Sequence, residues 1–559
     1  MTENYLAYII LTKDKAYKGE KMKQLYYNGK VFTDKLPLVS AFAVEDGKFV
    51  LSGTDEAILA LYAEGDEKID LEGKFVVAGF IDSHMHVVNY GSAMECCDLM
   101  SNTSSLEALI DAMKKFIADN EIPAGQIVKG RGFNHDYFCD YDQIPTREEL
   151  DKISTEHPVV IVRCCGHALA VNTYALEKFG IDGTQPQIDG GQYDVDENGK
   201  PTGVFRDAAM GMIYSQQPEV TKDDVKRMIL TAQKLLNSYG VTSAHTDDLT
   251  SVAIGYEDVI AAYKELEAEG KMTIRVYEQS QVTDPEELKK FLAKGYNTGV
   301  GTDHFKIGPL KLLGDGSLGA RTAYLAGEYA DAPGEKGLAI FTQEQFDELI
   351  GIAHSNGMQV AIHAIGDGIL DMILNSYEKA FAENPRKDHR SGIVHVQITR
   401  PDQLEKMKKL GLHAYIQSIF IDYDSHIVEA RVGEKLAKSS YSFHTLRKMG
   451  VHVSNGTDCP VEMPIAMKGI QCAVTRQPIS EDIPPYRPEE AMTVEEALQS
   501  YTTEGAHAAF EENVKGKIKA GYLADFVILS QNPFEVAPNK LATIVPEKTF
   551  VGGKLVYEK

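Results

Sequence analysis

A chain of 559 residues exceeds what one hydrophobic core usually holds, so a large domain with accessory domains is expected. Its 43% hydrophobic and 25% charged residues are ordinary for a globular enzyme. With 57 basic against 82 acidic residues the formal charge is -25, which disfavours nucleic acid and anionic membrane surfaces as partners.

The first apolar run, Tyr5 to Leu11, follows Glu3 rather than a basic stretch. It reads as a strand and not as a secretory leader, which points to the cytoplasm. Residues 5–72 and roughly 515–559 show short strands with turn signals at Asn28-Gly29, Asp46-Gly47 and Gly552-Gly553. They predict one small β-sandwich assembled from both chain ends, 1–74 with 510–559.

Between these ends, from 75 to 509, one unit recurs: a capped amphipathic helix, a glycine, then a short apolar strand. Thr342 to Gln345 forms a capping box for a helix that stops at Gly357, before the strand Gln359 to His363. Helices stopping at Gly240, Gly411 and Gly450 precede further strands. Strands beginning near residues 75, 241, 273, 306, 358, 392, 413 and 451 predict a parallel (β/α)8 barrel. The interval of about 90–225 has its own apolar strands at 126–129 and 158–162 and a hairpin-like stretch from Asp189 to Gly203. It is predicted as an inserted α/β subdomain.

Seven cysteines include the adjacent pairs Cys96-Cys97 and Cys164-Cys165, whose spacing suits neither a zinc ribbon nor a disulfide framework. Buried thiols are expected, with Cys459 notable for following Asp458.

Barrel enzymes carry their chemistry where the strands end, so a polar residue closing an apolar run is informative. The first strand runs into His84 and His86, the fourth into Lys311, the fifth into His363, the sixth into His395 and the eighth into Asp458. Residues i and i+2 of an extended segment point the same way, so His84 and His86 can grip one ion. Four imidazoles and a carboxylate suit zinc, with iron, manganese, nickel or cobalt as alternatives. A cationic Lys311 would oppose a dication unless its amine had reacted with carbon dioxide to give a carbamate; an ordinary ion pair with Asp303 or Asp315 is the alternative. His245 and His304 have no spacing that recruits them. Asp315 also lies in Gly314-Asp315-Gly316-Ser317, which lacks the Lys-Ser/Thr pair of a phosphate loop.

The order H-x-H, Lys, His, His, Asp resembles that of the amidohydrolase superfamily. "GFIDSHMH", "GPLKLLGDGSLGARTAYL", "AIHAIGD", "GTDCPVEMP", "GYLADFVIL" and "GKPTGVFRDAA" resemble amidohydrolase family 3, the group of YtcJ-like proteins and N-substituted formamide deformylases. Ala78 departs from the family's usual proline, and the segment 130–138 lacks a tryptophan often found there. The resemblance implies two divalent ions, most readily Zn2+. It implies His84, His86, Lys311 and Asp458 on one ion, and carboxylated Lys311 with His363 and His395 on the other. A bridging hydroxide would attack, with Asp458 as general base and then general acid. The implied reaction is hydrolysis of a non-peptide C–N bond, in a small-molecule amide or N-substituted formamide, by a chain that forms a homodimer. Asn134, His135, Arg163 and His167 in the insertion, and Gln417 at the end of strand seven, are candidate substrate contacts. The competing readings are a mononuclear deaminase of the same superfamily, against which Lys311 argues, and an inactive scaffold, which would have lost ligands.

Overall fold

The computed structural model describes residues 22–100, 104–164, 168–188, 191–216, 219–481 and 483–559. The run Tyr5 to Leu11 lies outside the described residues. Eight parallel strands pair in chain order: Phe80–Met85, Val241–Thr246, Arg275–Ser280, Phe305–Leu313, Val360–Ala364, Gly392–His395, His413–Ile416 and Val453–Asn455. They are buried almost throughout, as parallel strands with helices packed outside must be. Local signals set the helix ends. Thr342 and Gln345 bond reciprocally at the start of Gln343–Ser355, and Gly411 takes the left-handed conformation (φ +66°) that ends Pro401–Leu410.

The barrel begins later than the sequence suggests. Phe75–Ala78 pairs with Phe526–Leu529 outside the barrel, and only Phe80–Met85 enters it. Gly79 makes the transfer, its N–H donating to Asp525 O while Phe80 N–H donates to Gly240 O. A Cβ on Gly79 would lie 2.1 Å from Thr242 Oγ1, so no other residue fits the crossing.

Strands one and eight meet through the chain just beyond strand eight. Asp458 N–H donates to His84 O at 2.8 Å, and His86 N–H donates to Cys459 O at 2.8 Å. The barrel is therefore tied at the end where the candidate ligands sit.

The flanking segments make two sheets. One holds Gln24–Tyr27, Ala41–Glu45, Lys48–Gly53 and Glu67–Asp70; the other holds Lys30–Val31, Phe75–Ala78, Phe526–Leu529, Pro546–Val551 and Lys554–Glu558. Their shared core contains Tyr26 stacked on Phe42 (4.6 Å) and Phe526 stacked on Phe550 (4.3 Å). A buried bidentate pair, Arg275 to Asp525 at 2.6 and 2.9 Å, joins barrel strand three to this sandwich.

Residues 88–231 form a separate compact unit. Its mixed sheet runs Gly191–Val195, Pro201–Asp207, Ala168–Val171, Val159–Arg163, Val128–Phe133 and Cys97–Asp98. The architecture is thus a (β/α)8 barrel with an inserted α/β subdomain and a β-sandwich built from both chain ends. Among the described residues no helix is long and apolar enough to cross a membrane.

Candidate metal centre

Three imidazoles converge on one carboxylate. His84 Nε2 lies 3.4 Å and His86 Nε2 3.1 Å from Asp458 Oδ1, and donor atoms of His84, His395 and Asp458 all fall within 4.8 Å of one another. Behind each ring an oxygen accepts from Nδ1: Gln279 Oε1 for His84 (2.7 Å), Asp247 O for His86 (3.2 Å) and Gln417 Oε1 for His395 (2.7 Å). For His84 and His395 the proton is thereby held on Nδ1 and the Nε2 lone pair is left for a cation, the arrangement metal-binding histidines need, whereas His86 Nε2 is bonded to Asp458. Gln279 Nε2 donates in turn to Ser83 O, which fixes that amide.

His363 is held differently. Its ring centre is 4.4 Å from that of His395, but its Nε2–H donates to Gly316 O (3.1 Å) and lies 3.3 Å from Asp315 Oδ1. Its lone pair is accordingly on Nδ1. Asp315 is fastened by N–H groups of Tyr324, Ile365 and Gly366. The Gly314-to-Ser317 stretch is thus a cradle for His363.

Lys311 is 1% exposed, and its Nζ donates to Asp247 Oδ2 at 3.3 Å. The partner is thus Asp247 rather than Asp303 or Asp315, and Asp315 is occupied as described. Asp247 Oδ1 and Glu278 Oε2 are buried without a hydrogen-bond partner among the described residues. Burial, reinforced by Asp248, holds the Glu278 carboxyl well above its ordinary range.

Two candidate ligand positions are strained. His395 (φ +80°) and Asp458 (φ +58°) occupy left-handed conformations that side chains rarely adopt. Burial raises the pKa of Asp458, but the His86 hydrogen bond and the neighbouring histidines outweigh it and hold the carboxylate ionised. Burial lowers His395 to about 3, and it also lowers His84. Burial opposes charge on His86 too, yet the bond to Asp458 raises it to about 8. The buried neutral imidazoles of His84 and His395 beside an ionised carboxylate form a donor set suited to a divalent cation, which would take the place of the His86 proton.

Asp82 clips the site together from below. Its carboxylate accepts from Thr457 Oγ1 (2.5 Å), Thr457 N–H (3.1 Å) and His84 N–H (3.3 Å), so strand one and the chain after strand eight share one anchor. Cys459 is fully buried and burial pushes its thiol far up, which removes it as a nucleophile.

In the inserted unit Arg163 donates to Asn134 Oδ1 (2.9 Å), His135 Nδ1 (3.3 Å) and Asp136 Oδ2 (2.6 Å), so three of the candidate substrate contacts bind one another. His167 lies outside the described residues. Gln417 stands behind His395, with its Nε2 unpartnered among the described residues. His245 is buried with neither nitrogen bonded among the described residues, and His304 donates to Ile274 O.

The profile of the amidohydrolase family matches residues 67–557. The chain belongs to the amidohydrolase family. It is 32% identical to YtcJ of Bacillus subtilis over 96% of this chain and all of that one. It is 25% identical to the N-substituted formamide deformylase of Arthrobacter pascens, over 93% of this chain and 95% of the relative. The crystal structure of an uncharacterized metal-dependent hydrolase from Pyrococcus furiosus superposes with a TM-score of 0.74 at 31% identity, covering 92% of this chain and 100% of that chain.

Several residues that shape this family member's site are not singled out by sequence reasoning. Asp247 closes strand two just as His363 and His395 close theirs, so the strand-end rule could have found it. Gln279 and Glu278 lie within strand three, where only the burial of polar side chains marks them. Asp82 precedes His84 by two and could be read as sharing its face.

Proposed function

We propose that the chain is a metal-dependent hydrolase that cleaves the C–N bond of a linear amide or an N-substituted formamide. The observation that carries this reading is the pair His84 and His395, whose Nδ1 protons are held by Gln279 and Gln417, beside His86 and an ionised Asp458. The match to a formamide deformylase over nearly the full length supports the bond type, and the Pyrococcus furiosus structure supports metal dependence.

His84, His86 and Asp458 would hold one ion and His363 with His395 a second, with Lys311 between them as a carbamate. Nitrogen donors with carboxylates suit zinc. A carboxylated Lys311 keeps one Nζ–H, and Asp247 Oδ2 is placed to accept it. When bound, such ions supply a water of lowered pKa and polarise the scissile carbonyl. Asp458 takes the proton of the attacking water and returns it to the leaving nitrogen, a base in the first half and an acid in the second. Asp458 is ionised and so carries no proton of its own at neutral pH.

Protein purified without chelator is expected to carry about two divalent ions per chain by elemental analysis. Consistently metal-free protein would overturn the reading. Lys311→Ala should lose roughly one ion and most turnover, both partly restored by short carboxylic acids. Full activity in that variant would rule out the two-ion arrangement.

A further inference from the structure

The chain beyond His395 places an unusual polar group beside the proposed centre. Gln397 is 3% exposed, and its Nε2 donates to Asp424 Oδ2 (2.8 Å) and to Tyr441 OH (3.1 Å). Tyr441 OH donates to the same Asp424 oxygen at 2.7 Å. These two acceptors fix the amide, since turning it over would set its oxygen against the carboxylate. Its Oε1 is then left buried with no partner among the described residues, and Ser425 Oγ is in the same state. Buried polar atoms without partners are rare and mark a place where something else binds. Around Asp424 the unmet groups are chiefly acceptors, so the missing group is a donor.

Charge points the same way. Glu462 follows Asp458 by four residues on the loop after strand eight, while Asp422 and Asp424 lie on the short helix Ile421–Asp424 that follows strand seven. Burial raises the Glu462 carboxyl and Asp422 and Asp424 raise it further, opposed by Lys468. Asp422 is already committed to the Ile479 N–H. Burial lifts Asp424 to about 6 even with the hydroxyl and amide bonds it receives. These carboxylates gain by the arrival of a cation. Beside them Tyr423, Val461 and Met463 expose 62%, 66% and 40% of their surfaces, which suits an alkyl stem.

We propose that Asp424, Gln397 and Glu462 form a subsite for a cationic amine carried by the substrate. The ammonium donates to Asp424 and to Gln397 Oε1, and Glu462 contributes charge from the neighbouring loop. Substrates bearing a carboxylate at that end are disfavoured by the same groups. The subsite deepens the hydrolase reading by naming the substrate class.

The test uses three formamides of similar length with the full-length, metal-loaded protein: N-(4-aminobutyl)formamide, neutral N-pentylformamide and 4-formamidobutyrate. Calorimetry should show the ammonium probe binding about tenfold or more tightly than the neutral one, with the carboxylate weakest. Asp424→Asn should bring the ratio of the first two close to one. Glu462→Gln, on an accessible loop, should narrow it about threefold and serves if Asp424→Asn does not fold. A wild-type ratio at or below one overturns the subsite, as does an unchanged ratio in the folded variants. Turnover of the same probes separates the two readings. Preference without hydrolysis of any probe would count against the amide-hydrolase reading alone, and hydrolysis without preference against the subsite alone.

Discussion

Each imidazole has two nitrogens, and a cation can use only the one that carries no proton. Gln279 and Gln417 settle that choice for His84 and His395 by accepting from Nδ1. Gln279→Leu is therefore expected to leave the fold intact and to weaken metal binding about 10- to 100-fold, read by competition with a chromophoric chelator. Affinity unchanged in the variant would mean that the ring is oriented by packing alone. His84, with its neighbour His86, is legible in the sequence because H-x-H closes an apolar run. Its partner Gln279 is not, since it lies 195 positions away in a strand whose polar residues give no sign of where they point.

Strand eight has only three paired residues, Val453–Asn455, yet it must present Asp458 to two histidines of strand one. The Asp82–Thr457 clip and the two backbone bonds around Asp458 make up for the short ladder. Thr457→Val deprives a buried carboxylate of its shortest hydrogen bond. It should cost about 1–3 kcal/mol in denaturant unfolding and lower metal affinity as well. A variant as stable as the parent would show that water replaces the hydroxyl. At this scale the helices and strands were predictable from caps and glycines, as at Thr342 and Gly411. The sequence puts the start of the first barrel strand too early because "FVVAGFID" is one apolar run, and only the approach of Thr242 to Gly79 shows where it is cut.

Across the whole molecule, buried titratable groups act on stability in opposite directions. Burial lowers His245 to about 3, and burial likewise lowers His389 and His507 to about 4. Between 6.5 and those values the unfolded chain binds protons that the native chain refuses, so these histidines lower stability as the pH is lowered. Asp82, lifted to about 7, and Asp424, lifted to about 6, act with the opposite sign over the same range. The wild-type profile is a sum, and a single histidine must be isolated to see its share. His245 has no hydrogen bond to lose, so His245→Leu should gain about 2 kcal/mol over the wild type on going from pH 7.5 to pH 5 in chelator-treated protein. Equal pH dependence of the two proteins would show that His245 can bind a proton in the folded state.

The sequence alone determined the repeating unit and the order of metal-type residues, because periodicity, capping and strand-end polarity are local signals carried within a dozen residues. Through them it also determined the barrel, the insertion and the family. Only the tertiary structure decided which nitrogen each histidine offers, that Lys311 faces Asp247, that Asp315 serves His363 and that Asp82 ties strand one to the end of strand eight. Those pairings join residues from tens to hundreds of positions apart, and the burial that makes them matter exists only once the barrel has formed.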